Sequence, residues 1–347
     1  MVLSGAYISV CIGSGFATGQ ELLQFFSSQG LISLVAGFIC MMIMCYCGYK
    51  LLYIGKTNTL RSSNDIFTYL FGTNIGNIFK IIIPVFSLCS FIVMVSGAGS
   101  AINQYYGINK TLGGTMLALV SLFSVMLGMN KVLDILGNIG PVIIIVAIVI
   151  SVITIGNNYN NLGNINETIS NLHIIKAVDS WWISAIVYSG LNIIFVAPFL
   201  AGAGKTVKNI KNCERAGILG GFLFIVAAMF INVALLSDIN NLHIQEIPTL
   251  YMAKNISKLV GSIFSIILIL GIYTTATPLL WNVCNSCYNE KTKGFNIMAI
   301  LCTVLGIFGG MLPFAYLVNF MYPISGTLGV LIIIGLLYPR NKKRSWT

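Results

Sequence analysis

Val10-Cys11-Ile12-Gly13-Ser14-Gly15-Phe16-Ala17-Thr18-Gly19-Gln20-Glu21 sets three glycines, two hydroxyl residues and an acid in the middle of an apolar run. A helix in lipid has to satisfy its own backbone groups, so an unwound stretch at that depth survives only where protein buries it or where it lines a cavity. The stretch therefore predicts a spanning helix that breaks near its centre. Glycines also permit close helix packing, but a Gly-Ser-Gly step with an acid nearby exceeds what packing requires.

Working outward, the chain has 347 residues, of which 57% are hydrophobic and 8% charged, a composition foreign to soluble domains. A span needs about 20 apolar residues. Apolar runs separated by polar punctuation read as ten spans at 3–27, 30–54, 76–106, 111–129, 132–155, 181–202, 214–237, 257–285, 295–312 and 314–338. They form one transmembrane domain over 1–338, followed by a basic tail at 339–347. With an even count both termini share a side. Placing them in the cytoplasm puts Lys50, Lys56, Arg61, Lys80, Lys131, Lys205, Lys208, Lys211, Arg215, Lys291, Lys293, Arg340, Lys342, Lys343 and Arg344 inside, leaving Lys110, Lys176, Lys254 and Lys258 outside. Translocated cations are disfavoured, so this bias supports both the count and the orientation.

Several other classes drop out. The net charge of +10 comes from cations scattered at span ends, not from a stripe with interleaved aromatics, so no nucleic-acid partner is expected. The first apolar stretch lacks a basic leader and reads as a mature helix, not a cleaved signal. Cys11, Cys40, Cys45, Cys47, Cys89 and Cys302 lie in apolar runs as small hydrophobes, and Cys284 with Cys287 reads as two reduced thiols without a second ligand pair. Gly204-Lys205-Thr206 imitates the end of a phosphate-binding loop, but Phe199 stands where the first glycine is required. His173 and His243 fall in the loops 156–180 and 238–256, with no metal partner by spacing. The second loop has an amphipathic stretch that reads either as a lid over the outer mouth or as an ordinary surface loop.

Five spans after the first, Tyr188-Ser189-Gly190-Leu191-Asn192 again brings small and polar residues to mid-depth, with Pro198 following. Interrupted segments at matching positions in two halves are the best sequence pointer to a transporter site. The reading is a five-plus-five inverted repeat, about 1–155 and 181–338, with the first and sixth helices broken. Freed amides after a break suit a carboxylate and freed carbonyls before it suit a cation. In the eighth span Gly271, Thr274 and Thr275 present a carbonyl and two hydroxyls on one face. These suit a small cation, although threonine also bonds its own preceding turn. Glu21 has three open roles: carrying a proton, balancing a cation, or latching a helix by bonding a neighbouring backbone. Gln20 shares that assignment. Asp134 and Glu214 sit near span ends and face headgroup water or nearby cations.

Gly13-Ser14-Gly15-Phe16-Ala17-Thr18-Gly19-Gln20-Glu21 resembles the GxGFA(S/T)GQE signature of YkvI-type bacterial membrane proteins, related to the amino acid-polyamine-cation superfamily with the LeuT fold. The resemblance covers the whole chain. It implies an all-α, LeuT-like transporter in the bacterial inner membrane, with a sodium site made by the carbonyls of Ser9, Ile12 and Gly271 and the hydroxyls of Thr274 and Thr275. It also implies a solute site at Gly13, Ser14, Gly15 and Phe16, with Tyr188, Ser189, Gly190 and Asn192 as its neighbourhood. The fifth span has no mid-membrane lysine to replace sodium, which favours Na⁺ over H⁺. No cofactor beyond the coupling ion is implied, and oligomeric state stays open.

The function expected is cation-coupled transport of an amino acid or similar zwitterion, not catalysis. The alternatives are proton coupling, exchange of another small solute, or a sensor or channel. An enzyme would need an intramembrane polar cluster that the sequence does not offer.

Overall fold

A computed structural model describes residues 2–58, 60, 62–128, 139–207 and 209–338. Arg61, Lys131, Asp134, Lys208, the start of the fifth span and the 339–347 tail lie outside the described residues. The described chain is helical, with no strand. The first apolar run is three pieces, α1 (Val2–Cys11), α2 (Ser14–Thr18) and α3 (Gln20–Phe25), and a 3-10 segment, Ser27–Ile32, leads into α4 (Ser33–Thr57). There follow α5 (Asp65–Phe71), α6 (Thr73–Tyr106), α7 (Lys110–Leu127) and α8 (Ile139–Asn158). The second half holds α9 (Ile165–Asn171), α10 (Trp181–Gly204), α11 (Ile210–Ser237), α12 (Ile239–Leu242), α13 (Pro248–Ile256), α14 (Lys258–Cys287), α15 (Lys293–Gly309) and α16 (Phe314–Leu337).

Eight of the described helical segments are long and apolar enough to cross a membrane, and α15 is a shorter apolar helix of 17 residues. Phe38, Met42, Ile81, Phe123, Leu127 and Ile145 are each more than half exposed. On a soluble protein such a surface would aggregate; here it is the girdle that meets lipid. The interior is held by close backbone approach. A Cβ built on Gly55 would lie 2.0 Å from the Ala201 carbonyl oxygen, and one on Gly217 would lie 2.3 Å from the Tyr49 nitrogen. Glycine thus lets α4 lie against both α10 and α11. Without a hydrophobic drive between helices in lipid, such contact is what holds them together.

The sixth span departs from expectation. α10 runs unbroken from Trp181 to Gly204, and its small polar residues are absorbed locally. Ser189 Oγ donates to the Ala185 carbonyl at 2.8 Å and Asn192 Nδ2 to the Tyr188 carbonyl at 3.0 Å, both one turn back. Gly190 is a packing glycine. A Cβ there would meet the Gly326 carbonyl oxygen at 2.2 Å, and one on Gly329 would meet the Gly190 carbonyl oxygen at 1.9 Å. The glycine that the sequence offers as a break is used to bring α16 onto α10.

Charge is divided between the two ends of the bundle. At one end Lys80 pairs with Asp65 at 3.0 Å, and Ser63 fills the space beside Gly202, next to Lys205. At the other, Lys110 pairs with Glu246 at 3.0 Å, and the Leu31 amide donates to Asn166 Oδ1 at 3.1 Å. α4 spans the distance between them with 25 residues, about 37 Å of helix.

Candidate functional site

The break in the first helix is narrow and sits between Cys11 and Ser14. Gly13 is extended at φ −95° and ψ −178°. Its amide, which would close the helix onto Ser9, bonds the Cys11 carbonyl at 3.0 Å instead. The Ser9 carbonyl thereby loses its i+4 donor. The break falls in the stretch where the sequence predicts it; helix resumes at Ser14 and bends again at Gly19, whose φ of +79° is a left-handed conformation that glycine adopts without strain.

The released Ile12 carbonyl is met from across the bundle. Thr275 Oγ1 on α14 donates to it at 3.2 Å and also lies 3.3 Å from the Gly271 carbonyl. Thr274 Oγ1 bonds only the Gly271 carbonyl, at 2.8 Å. Of the oxygens expected around a cation, those of Ile12, Gly271, Thr274 and Thr275 therefore converge. Thr275 bridges two helices while Thr274 back-bonds within its own turn. Ser9 Oγ turns back to the Gly5 carbonyl at 2.9 Å, leaving only its main-chain oxygen for the site. Gly13, Thr274 and Thr275 are half-buried.

On the other side of the break sits Glu21, 5% exposed and the one charged side chain that is fully buried among the described residues. Tyr188 on α10 donates its hydroxyl to Glu21 Oε1 at 2.9 Å. One of the three roles open to Glu21 was a latch to a neighbouring backbone; the observed bond joins two side chains and ties the first span to the sixth. Glu21 Oε2 lies 2.4 Å from where a Cβ on Gly15 would stand, and the Tyr322 ring lies 2.7 Å from that point. Gly15 is therefore required to seat the acid. Gln20 is 3% exposed, and its Oε1 has no hydrogen-bond partner.

The remaining expected residues divide. Ser14 opens α2, placing its amide beside Gly13. Phe16 is fully buried, its ring stacked on Phe224 at 5.1 Å, as part of the wall between α2 and α11. Ser189 faces Cys40 on α4 at 3.1 Å, and Gly190 faces α16, so neither joins the break. Asn192 spends its amide on the Tyr188 carbonyl. Glu214 is exposed, as expected for a span end.

Sequence reasoning left the 238–256 segment between a lid and a surface loop and missed the contacts that hold it. The 238–256 loop folds into α12 and α13, and Thr249 Oγ1 donates to the Ala17 carbonyl at 2.7 Å, just before the Gly19 bend. Gln104 on α6 clasps the same segment twice, donating to the Ile247 carbonyl at 2.9 Å and accepting from its amide at 3.0 Å. The segment is thus tied down against the first span and α6. A glutamine in the last turn of α6 and a threonine behind Pro248 are weak signals, legible only once the loop is seen to return over the bundle. Tyr322 was missed as well, its one cue being the adjacent Pro323.

Over 336 residues the chain is 24% identical to the uncharacterized protein YyaD of Bacillus subtilis (strain 168), covering 94% of this chain and 93% of that one. It is 22% identical over 347 residues to the uncharacterized membrane protein YkvI of the same organism, covering 99% and 96%. No protein-family model matches the chain. Among solved structures it is similar to the Eremococcus coleocola manganese transporter in complex with an aromatic bis-isothiourea substituted compound, with a TM-score of 0.58, 12% identity, and coverage of 97% of this chain and 78% of that one. It is also similar to MHP1, a nucleobase-cation-symport-1 family transporter in a closed conformation with bromovinylhydantoin bound, with a TM-score of 0.52, 13% identity, and coverage of 95% and 70%. At these identities the structural likeness shows the fold alone. The chain is a multi-helix membrane protein homologous to YkvI, and its structural neighbours are secondary transporters of LeuT-like fold.

Proposed function

We propose that the chain is a secondary active transporter that moves a small zwitterionic solute such as an amino acid by alternating access, coupled to sodium. The carrying observation is the Ile12 carbonyl, released by the break and met by the Thr275 hydroxyl of α14. A helix gives up a backbone bond inside lipid only where something else is gained. A cluster of neutral oxygens from Ser9, Ile12, Gly271 and Thr275 suits a hard monovalent cation better than a transition metal, which prefers nitrogen, sulfur or carboxylate ligands. The amides of Ser14 and Gly15, in the first turn of α2 on the far side of the break, are the contact we assign to the solute.

In this reading the first span is the α1–α3 segment and α15 is the ninth. Together with the eight long helices they make ten spans arranged as two inverted halves, with the Lys56 and Lys205 end in the cytoplasm. The α12–α13 lid then closes the outer mouth, and the protein sits in the bacterial inner membrane as a carrier, not an enzyme. The test is a thermal-shift screen of the purified protein against amino acids, nucleobases and osmolytes, with sodium or choline as the cation, followed by uptake of any hit into proteoliposomes. Specific ligands stabilise by mass action. Uptake that is equal with and without a sodium gradient would remove the sodium assignment, and the absence of uptake for every stabilising solute would remove the carrier.

A further inference from the structure

Glu21 has no role in the cation cluster. It is buried in a segment at membrane depth, it accepts a hydrogen bond from the neutral Tyr188 hydroxyl, and among the described residues no lysine, arginine or histidine forms an ion pair with it. The titratable groups around the Glu21–Tyr188 pair are Cys11 on α1, Cys40 on α4 and Tyr322 on α16, none of them a cation. The Phe26 ring meets the Tyr188 ring edge-on at 4.9 Å, and Phe25 lies 5.5 Å from it. A solute does not fit into that packing; a proton does. A buried charge without a counter-charge is costly enough that the charge itself becomes the adjustable quantity.

We propose that Glu21 is a proton-binding site whose occupancy is sensed by the broken first helix through Gly15. A proton from water forms an O–H bond on Oε2, and its return to water restores the carboxylate; no other bond is made or broken. The carboxylate rests against the Gly15 backbone, two residues beyond the break, and its other oxygen holds Tyr188 on α10. Any change in the charge of Glu21 is therefore felt both by the unwound stretch and by the bond between the first and sixth spans. The proposal deepens the carrier reading, on which its role in a transport cycle rests, by adding a proton to the sodium assigned above.

The test uses the full chain in liposomes and needs no solute. Infrared difference spectra between acidic and alkaline buffer read the C=O stretch of a neutral carboxylic acid. Wild type is expected to give this band, Glu21→Gln to lose it, and Tyr188→Phe to move it because the hydrogen bond to Oε1 is gone. In a variant keeping Cys11 as its sole thiol, the rate of maleimide labelling per thiolate, with the ordinary rise in thiolate fraction divided out, is expected to change with pH, and Glu21→Gln is expected to abolish that remaining response. Glu21→Asp, which keeps an acid in place, is expected to retain the band and the labelling response, and it is the variant to read if Glu21→Gln does not fold. Identical carboxyl regions in wild type and Glu21→Gln, or a labelling response that survives Glu21→Gln, would overturn the proposal. A chain that shows both signals yet carries no solute would remove the carrier reading and support the proton site; uptake without either signal would do the reverse.

Discussion

Thr274 and Thr275 are adjacent and chemically identical, yet only one of them reaches across the bundle. Thr275 Oγ1 touches the Ile12 carbonyl while Thr274 Oγ1 stays within its own turn. The sequence could place both on the face of Gly271 but could not tell them apart, because the difference lies in which direction the broken helix approaches. Thr275→Ala is accordingly expected to lower sodium-dependent thermal stabilisation by about 1–3 kcal/mol, the scale of a buried polar interaction removed. Thr275→Ser is expected to retain most of the stabilisation, and Thr274→Ala to cost less than Thr275→Ala. Melting curves in sodium and in choline check all three. Gly15 makes a second case. Its place in the Gly-Ser-Gly step marked it as part of the break, while the contact that demands glycine is Glu21 Oε2. Gly15→Ala is expected to break the Glu21–Tyr188 bond and to destabilise the protein by about 1–3 kcal/mol through overpacking, read as a lower melting temperature with the Tyr188 hydroxyl newly exposed to exchange.

Among elements, α10 and the lid show how far periodicity carries. The ends of α10 were readable to within a couple of residues, because the change from apolar to polar is local. Its continuity was not, since a glycine that unwinds and a glycine that packs look alike until the partner helix is seen. Gly190→Ala is expected to push α16 off α10 and to lower stability by about 1–3 kcal/mol without changing the sodium dependence of melting, which separates a packing glycine from a binding one. The lid is tied by Gln104 to the Ile247 backbone and by Lys110 to Glu246. Exposed ion pairs contribute little, about 0.2–1 kcal/mol, so the two Gln104 bonds are the stronger tie. Gln104→Ala is expected to speed hydrogen exchange across Pro248–Ile256 by about tenfold, the equivalent of roughly 1.4 kcal/mol, and Lys110→Ala to speed it less.

For the molecule as a whole, the distribution of cations and the apolar girdle describe one object in a bilayer. In a background without native cysteines, a cysteine replacing Tyr159, which is 63% exposed, is expected to react with an impermeant maleimide in intact cells. A cysteine replacing Thr57 is expected to react only after lysis. A span missed or invented between them would invert that pattern. Composition and span length by themselves determined that this chain lives in a membrane as a helical bundle, and the Ile12-Gly13-Ser14 stretch determined where one helix comes undone. Both are properties of a single segment weighed against lipid, which has no hydrogen bonds to offer. Tertiary structure alone decided that Gly190 packs instead of unwinding, that Thr275 and not Thr274 meets the break, and that Glu21 is held by Tyr188. Each of those depends on what a helix remote in the chain brings to within a few ångströms, and spacing along one strand of sequence carries no record of that approach.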